Sequence, residues 1–134
     1  MKTLLMIKPD IVDQGKYGDV IAFVLRNRFK PTALRMLSFT EEMASRFYEV
    51  HKERPFFADL VSYITSGPVV AMEIDGGDDI ISQIRAFIGT TDPAEAAPGT
   101  VRYQYGANIQ NNAVHASDSA ESAKKELAIV FNGS

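Results

Sequence analysis

Three features of the chain predict an α+β sandwich of ferredoxin-like type, βαββαβ in order, with an antiparallel four-stranded sheet and helices packed on one face. Short apolar runs of strand character recur at residues 3–7, 32–39, 69–74 and 127–131. Segments with the 3.6-residue apolar spacing of helices lie between them. The 134 residues, 46% hydrophobic and 23% charged, suit a single domain over 1–134 that builds a core without a disulfide or structural metal.

The elements follow in order. Residues 3–7 end at Lys8-Pro9-Asp10 and read as a buried strand. Residues 17–29 carry Tyr17, Val20, Ile21, Val24 and Leu25 on one helical stripe, which Lys30-Pro31 breaks. Residues 32–39 alternate as a second strand. Thr40 followed by Glu41 and Glu42 reads as a helix start, a capping hydroxyl with acids in the first turn. That helix carries Phe47, Tyr48 and Val50 until Arg54-Pro55, and residues 56–64 form a second short helix. Gly67-Pro68 turns the chain into the strand VVAMEI at 69–74, and Ile80, Ile81, Ile84, Phe87 and Ile88 mark a helix over 78–88. Residues 89–110 hold Pro93, Pro98, Gly99 and Gly106 without a clean period and read as one long loop, of a length that is often functional. A helix over 118–125, capped by Ser117 or Asp118, then a strand over 127–131 and a three-residue tail complete the chain.

Composition excludes several chemistries. With no cysteine, disulfides, thiolate metal sites and cysteine nucleophiles are absent. The formal charge of −3 argues against nucleic acid as a main partner, and any phosphate site must draw on local positive charge. No apolar run approaches the roughly 20 residues of a bilayer span, and MKTLLMIKPD lacks the length and cleavage site of a secretory signal. A cytoplasmic protein with no membrane partner is expected. Walker loops, His-Glu-x-x-His and Gly-x-Ser-x-Gly are all missing.

The chain has two histidines. His51, in EVHKERPFF, reads as a surface residue near a helix C-terminus. His115 sits beside the small residues Ala116 and Ser117, with Glu126 further on. If the following helix folds back, Glu126 accepts a hydrogen bond from one ring nitrogen and leaves the other neutral and outward-facing. A nucleophilic histidine needs both a free lone pair and a partner that fixes its tautomer.

The segment NNAVHASDS followed by ESAKKE resembles the active-site signature of nucleoside diphosphate kinases. MIKPD, FYEVHKERPFFADLVSYITSGPVVAMEI and IRAFIGTTDPAEAAPGTVR resemble further segments of that family in the same order, so the likeness spans essentially the whole chain. It implies a phosphotransferase that moves the terminal phosphate of a nucleoside triphosphate to a nucleoside diphosphate, ping-pong, through a phosphohistidine at His115. Lys8, Arg85 and Arg102 would neutralise the phosphates, and Thr91 would donate a hydroxyl to one. Tyr48 would lie beside Lys8 and the phosphates. Asn112, with Lys8, would hold the ribose hydroxyls. Phe56 would stack on the base, and Ser117 and Glu126 would steady the imidazole. Mg2+ would arrive on the nucleotide, with Asp118 reaching it through water and no dedicated metal cage. Family members are usually tetramers or hexamers built from a common dimer; here a tetramer is expected ahead of a hexamer.

Taken singly, most of these residues have plain structural uses: Lys8 at a strand end, Arg85 on a solvated helix face, Ser117 or Asp118 as a cap. They point to one site only together. A nucleotide sensor without turnover and a nucleic-acid binder are the competing functional readings. The chain departs from the family pattern at Asn111, where arginine is usual, and at Tyr103-Gln104-Tyr105, where Gly-Asp-Phe is usual.

Overall fold

A computed structural model of the protein describes residues 1–132; the last two residues of the expected tail, Gly133 and Ser134, lie outside the described residues. Four strands, β1 (Lys2–Ile7), β2 (Lys30–Leu37), β3 (Val69–Asp75) and β4 (Val114–Ala116), form one sheet in the order β2-β3-β1-β4. Every pairing is antiparallel. Seven α-helices pack on it: α1 (Pro9–Asp13), α2 (Tyr17–Arg26), α3 (Glu41–Phe47), α4 (Phe57–Ile64), α5 (Ile80–Ile88), α6 (Val101–Tyr105) and α7 (Ala120–Leu127). This is the ferredoxin-like arrangement the sequence predicts.

The helices cover both faces of the sheet, not one. Side chains alternate across a strand, so Leu5 and Ile7 of β1 enter one core with Val20 and Val24 of α2 and Ile84 and Ile88 of α5. Leu4 and Met6 enter a second core with Ala44 and Phe47 of α3, Ile64 of α4, and Ile129 and Val130. The near-continuous apolar runs LLMI and VVAMEI mark strands buried on two sides, whereas a strand facing water on one side would alternate with polar residues. Burying each such aliphatic side chain stabilises the fold by about 1.5–3 kcal/mol.

Several element assignments change: residues 9–13 form α1, and the helix expected to run to Arg54-Pro55 stops at Phe47, followed by a 3-10 turn at Glu49–His51. Residues 127–131, expected as the final strand, end α7 and continue into a wider helical turn at Ala128–Asn132. Their apolar run inserts Ile129 and Val130 into the second core, which a buried helical turn achieves as well as a strand does. The fourth strand is instead the three-residue β4, in which His115 pairs with Met6 of β1. Residues 89–110 are also more ordered than a loop. Pro93–Glu95 form a single 3-10 turn capped by Asp92, and α6 starts at Thr100, whose hydroxyl accepts from the Tyr103 amide. α7 is capped by Ser119, one residue beyond Asp118, its hydroxyl accepting from the Ser122 amide. Thr40 caps α3 as expected. Among the described residues no helix is long and apolar enough to cross a membrane.

Candidate active site

Strand alternation sets the site in place. Val114 and Ala116 point into the first core, so His115 between them faces the opposite side. There its ring meets Phe47 edge-on, centroids 5.0 Å apart. His115 Nε2 lies 2.9 Å from Glu126 Oε1 of α7. The Ser117 hydroxyl, only 1% exposed, donates to the same oxygen at 2.7 Å. A carboxylate accepts only, so Nε2 carries the proton and Nδ1 keeps its lone pair. The free nitrogen belongs to a ring that is half-buried and reachable from the cavity beside it.

That cavity, about 630 Å³, is lined by Lys8, Tyr48, Phe56, Arg85, Thr91, Arg102, Asn112, His115, Asp118 and Glu126. Of the residues singled out in the sequence, only Ser117 stands behind the wall. Their elements are scattered: the end of β1, the end of α3, the start of α4, α5, the loop before α6, α6 itself, β4 and α7.

The cations are anchored beside the histidine. Arg102 donates from one guanidinium nitrogen to the Gly89 carbonyl at 3.0 Å and from the other to the Val114 carbonyl at 2.9 Å. Arg85 donates to the Ala116 carbonyl at 3.1 Å. The two guanidiniums thus grip the strand on either side of His115. Gly89 makes the first anchor possible: it has φ +92°, and a Cβ there would lie 2.6 Å from the Thr100 hydroxyl. Arg102 is 6% exposed and its Nε is buried with no acceptor, an orphan that suits an anion in the cavity. Burial, reinforced by the Arg85 charge, brings its pKa down to about 10.

Lys8 is 8% exposed. Its Nζ donates to Asn112 Oδ1 at 2.7 Å and to the Gln110 carbonyl at 3.2 Å. Burial foremost, then the Arg102 charge, lowers its pKa from 10.5 to about 8, against an upward pull from Asp10. Asn112 also donates from Nδ2 to the Thr91 carbonyl at 3.0 Å, tying the lysine to the threonine's loop. The backbone enters this region strained. Ala113 has φ +77°, and the Val114 amide closes a three-residue turn on the Asn112 carbonyl at 2.9 Å. A non-glycine residue held there costs about 1–3 kcal/mol. The turn directs the Asn112 side chain to Lys8 and delivers Val114 into β4.

Burial, then the nearby Glu126 charge, raises the pKa of Tyr48, so its hydroxyl stays neutral and able to donate. Asp118 is held below the usual carboxylate range, first by a hydrogen bond from Ser122 and also by the Arg85 charge. Among the described residues no group of three or more carboxylate or histidine side chains could hold a metal. The donor set fits a magnesium ion that arrives on phosphates and keeps its waters, with the Asp118 carboxylate at the cavity wall.

Sequence reasoning missed several members of the wall. His51 is not merely at the surface: it lines the cavity, and its ring sits 5.4 Å from that of Phe56. Ile109, 63% exposed, and Phe56, 45% exposed, are two large apolar groups at the open rim. A lone isoleucine in the polar run ANIQNN was the signal that could have found it. Phe47, which braces the imidazole, reads in sequence only as a core residue.

Comparison with known proteins agrees with this geometry. The family model described as nucleoside diphosphate kinase matches residues 1–134. A nucleoside diphosphate kinase of Archaeoglobus fulgidus is 47% identical over 131 residues, 98% of this chain and 86% of that relative. One from Persephonella marina is 47% identical, covering 98% of this chain and 93% of its own length. The crystal structure of the Aquifex aeolicus nucleoside diphosphate kinase superposes with a TM-score of 0.94 at 44% identity, over 98% of this chain and 95% of that one. The halophilic nucleoside diphosphate kinase of Halobacterium salinarum, solved in complex with CDP, gives 0.92 at 38% identity, over 98% and 88%.

Proposed function

This chain belongs to the nucleoside diphosphate kinase family, and we propose that His115 is the residue through which it carries the phosphoryl group. The enzyme is a phosphotransferase that works by the family's ping-pong route, moving the terminal phosphate of a nucleoside triphosphate to a nucleoside diphosphate. The observation that carries the assignment to His115 is the pairing of Nε2 with Glu126 at 2.9 Å, which leaves Nδ1 unprotonated within the cavity.

In the first half-reaction Nδ1 attacks the terminal phosphorus in line. An N–P bond forms, the P–O bond to the bridging oxygen breaks, and the nucleoside diphosphate leaves with that electron pair. In the second, a terminal oxygen of the other diphosphate attacks the phosphohistidine and Nδ1 leaves. Positive charge that builds on the ring during attack is balanced by Glu126. The chain's other contribution is positioning and charge cancellation. Arg85 and Arg102 lie against the two carbonyls that flank His115, suited to the transferring group, and Lys8 brings a compact cation from the side of Asn112. Thr91 and Tyr48 supply neutral hydroxyls. Phe56 stacks on the base through its face, a contact every base can make, while Asn112 and Lys8 hold the ribose hydroxyls. Mg2+ brought by the nucleotide would supply charge neutralisation at its phosphates, and Asp118 at the cavity wall would face the ion's water shell.

We further propose that the whole of 1–134 acts as one domain, supported by two cores that share a single sheet. A cytoplasmic location is proposed; the apolar run at residues 3–7 serves as β1, one of the two interior strands of the sheet. A homo-oligomer is supported by the edge strand β2, which leaves Leu34 and Met36 about half exposed; a tetramer is proposed ahead of a hexamer, and sedimentation equilibrium tests the number. Nucleic acid and membranes are not its main partners.

The test of the central reading is incubation with ATP labelled at the terminal phosphate. Wild type yields an acid-labile, base-stable labelled protein that passes its label to an added second nucleoside diphosphate. His115→Ala abolishes the label and His51→Ala leaves it in place. Persistent labelling of the His115 variant would overturn the assignment, and binding without transfer in wild type would make the protein a sensor.

A further inference from the structure

We propose that Tyr63 and Asp10 form a positioning pair that holds Lys8 aimed at the nucleotide and keeps it cationic. The inference rests on the reading of the cavity as a nucleotide site. Neither residue lines that cavity, yet Tyr63 meets its lysine through the ring face and Asp10 acts on it through charge. Lys8 Nζ has three hydrogens. One goes to Asn112 Oδ1 at 2.7 Å and one to the Gln110 carbonyl at 3.2 Å. The face of the Tyr63 ring lies 5.3 Å from Nζ, within the range at which an aromatic face attracts an ammonium. The third hydrogen remains for a ligand oxygen.

The ring is itself fixed. Tyr63 projects from α4 and its hydroxyl donates to Asp10 of α1, two residues beyond Lys8 in the chain. Lys8, Tyr63 and Asp10 thus close a loop of contacts that ties the end of β1 to α4. A hydroxyl donating to a carboxylate also makes the ring richer in electrons and a better partner for a cation.

The electrostatics give the pair its purpose. Burial and the Arg102 charge from α6 both push Lys8 toward its neutral form, and the Asp10 charge from α1 opposes them. From α4, Tyr63 faces the lysine as a neutral phenol, its pKa raised by burial and then by the hydrogen bond to Asp10. Tyr48, at the end of α3, is neutral as well. The other ionisable groups of the wall, Arg85, His115, Glu126, Asp118, Asp59 and His51, share the cavity but not this contact. Among the described residues, Asp10 is the anion whose charge raises the Lys8 pKa, and it acts from behind the cavity wall. Without it a lysine titrating near 8 would lose its charge closer to neutral pH.

The experiment uses the full chain and three variants: Asp10→Asn, which keeps shape and removes charge; Tyr63→Phe, which keeps the ring and frees it from Asp10; and Tyr63→Leu, which removes the aromatic face. Lys8 titration is followed by NMR of lysine labelled with carbon-13 at the ε position, alongside kcat/KM for ATP against pH. In Asp10→Asn the Lys8 midpoint and the basic limb of kcat/KM both move down by roughly half a pH unit or more. The deficit in that variant therefore narrows as pH is lowered. Tyr63→Phe raises KM roughly three- to tenfold with kcat within about twofold, and Tyr63→Leu raises it further. A merely structural pair would lower activity by the same factor at every pH and leave the lysine midpoint alone, and that result overturns the proposal. So does a set of variants that titrate and turn over like wild type. Wild-type labelling by ATP separates the two levels: if wild type takes no label, the nucleotide reading fails; if it labels while the variants match it, only the pair fails.

Discussion

Replacing Glu126 by glutamine separates the charge of this residue from its geometry. The His115 ring and the Ser117 hydroxyl both donate to one oxygen of the carboxylate, Oε1, at 2.9 and 2.7 Å. A glutamine side chain presents one carbonyl oxygen, so it can keep both bonds and lose only the negative charge that balances the ring as it becomes phosphorylated. A hydrogen bond to a charged acceptor is about twice as strong as a neutral one, so the loss is about 1 kcal/mol, or roughly fivefold in the phosphorylation step. Glu126→Ala removes both bonds and strands the Ser117 hydroxyl, which is 1% exposed. Losing a charge-assisted bond and leaving a buried group unpaired costs about 2–4 kcal/mol, or roughly 30- to 1000-fold. The assay is single-turnover quench of the acid-labile label at saturating nucleoside triphosphate, which isolates the first half-reaction. If glutamine and alanine are equally slow, the charge and not the geometry is what matters; if both stay within about twofold of wild type, the role given to Glu126 is wrong.

Three other outcomes are expected. Lys8 is buried with its pKa lowered from 10.5 to about 8, so its charged form is disfavoured in the folded protein. The resulting penalty is fully present below about pH 8 and is relieved as pH rises toward 10.5, where the unfolded chain binds more protons than the folded one. Unfolding by urea should therefore show wild type gaining stability on Lys8→Met between pH 7 and 10, and a constant difference would refute it. Phe56→Ala should raise KM by roughly 5- to 150-fold, to a similar extent for purine and pyrimidine nucleotides, with kcat little changed, because stacking contributes about 1–3 kcal/mol per base; a kcat effect without a KM effect in steady-state kinetics would count against the stacking role. Asn111→Arg should change KM by less than tenfold, under about 1.4 kcal/mol. Asn111 closes its loop through its own backbone, its amide donating to the Asn108 side-chain Oδ1 at 2.9 Å and its carbonyl accepting from the Ala107 amide at 2.8 Å, and a larger change in KM would show that the Asn111 side chain matters.

Much of this was legible in order along the chain. β1 and β3 are apolar runs with clear stops, the Thr40 cap and its acids announce α3, and the isoleucines at 80, 84 and 88 mark α5. The candidate site was legible too, through the likeness of NNAVHASDS and the other segments to a known family. Where the reading failed, local pattern did not decide. A five-residue apolar run fits a strand or a buried helical turn equally, so residues 127–131 were misassigned. β4 is only three residues long, too short for periodicity to register, and it gained its identity from pairing with β1.

The sequence by itself determined three of the four strands, most of the helices and the absence of cysteine chemistry, and it carried the cations and the histidine that line the cavity. It could not set their distances, because Lys8, Tyr48, Phe56, Arg85, Arg102, His115 and Glu126 come from separate elements. Only the tertiary structure decided that Arg85 and Arg102 flank His115, that Ala113 takes a positive φ, and that His51, Tyr63 and Asp10 stand behind or beside the site. The physical reason is that side-chain periodicity records which face a residue occupies within its own element, while convergence depends on how a twice-buried sheet packs its helices. That packing is fixed by nonlocal contacts that no single stretch of the chain contains.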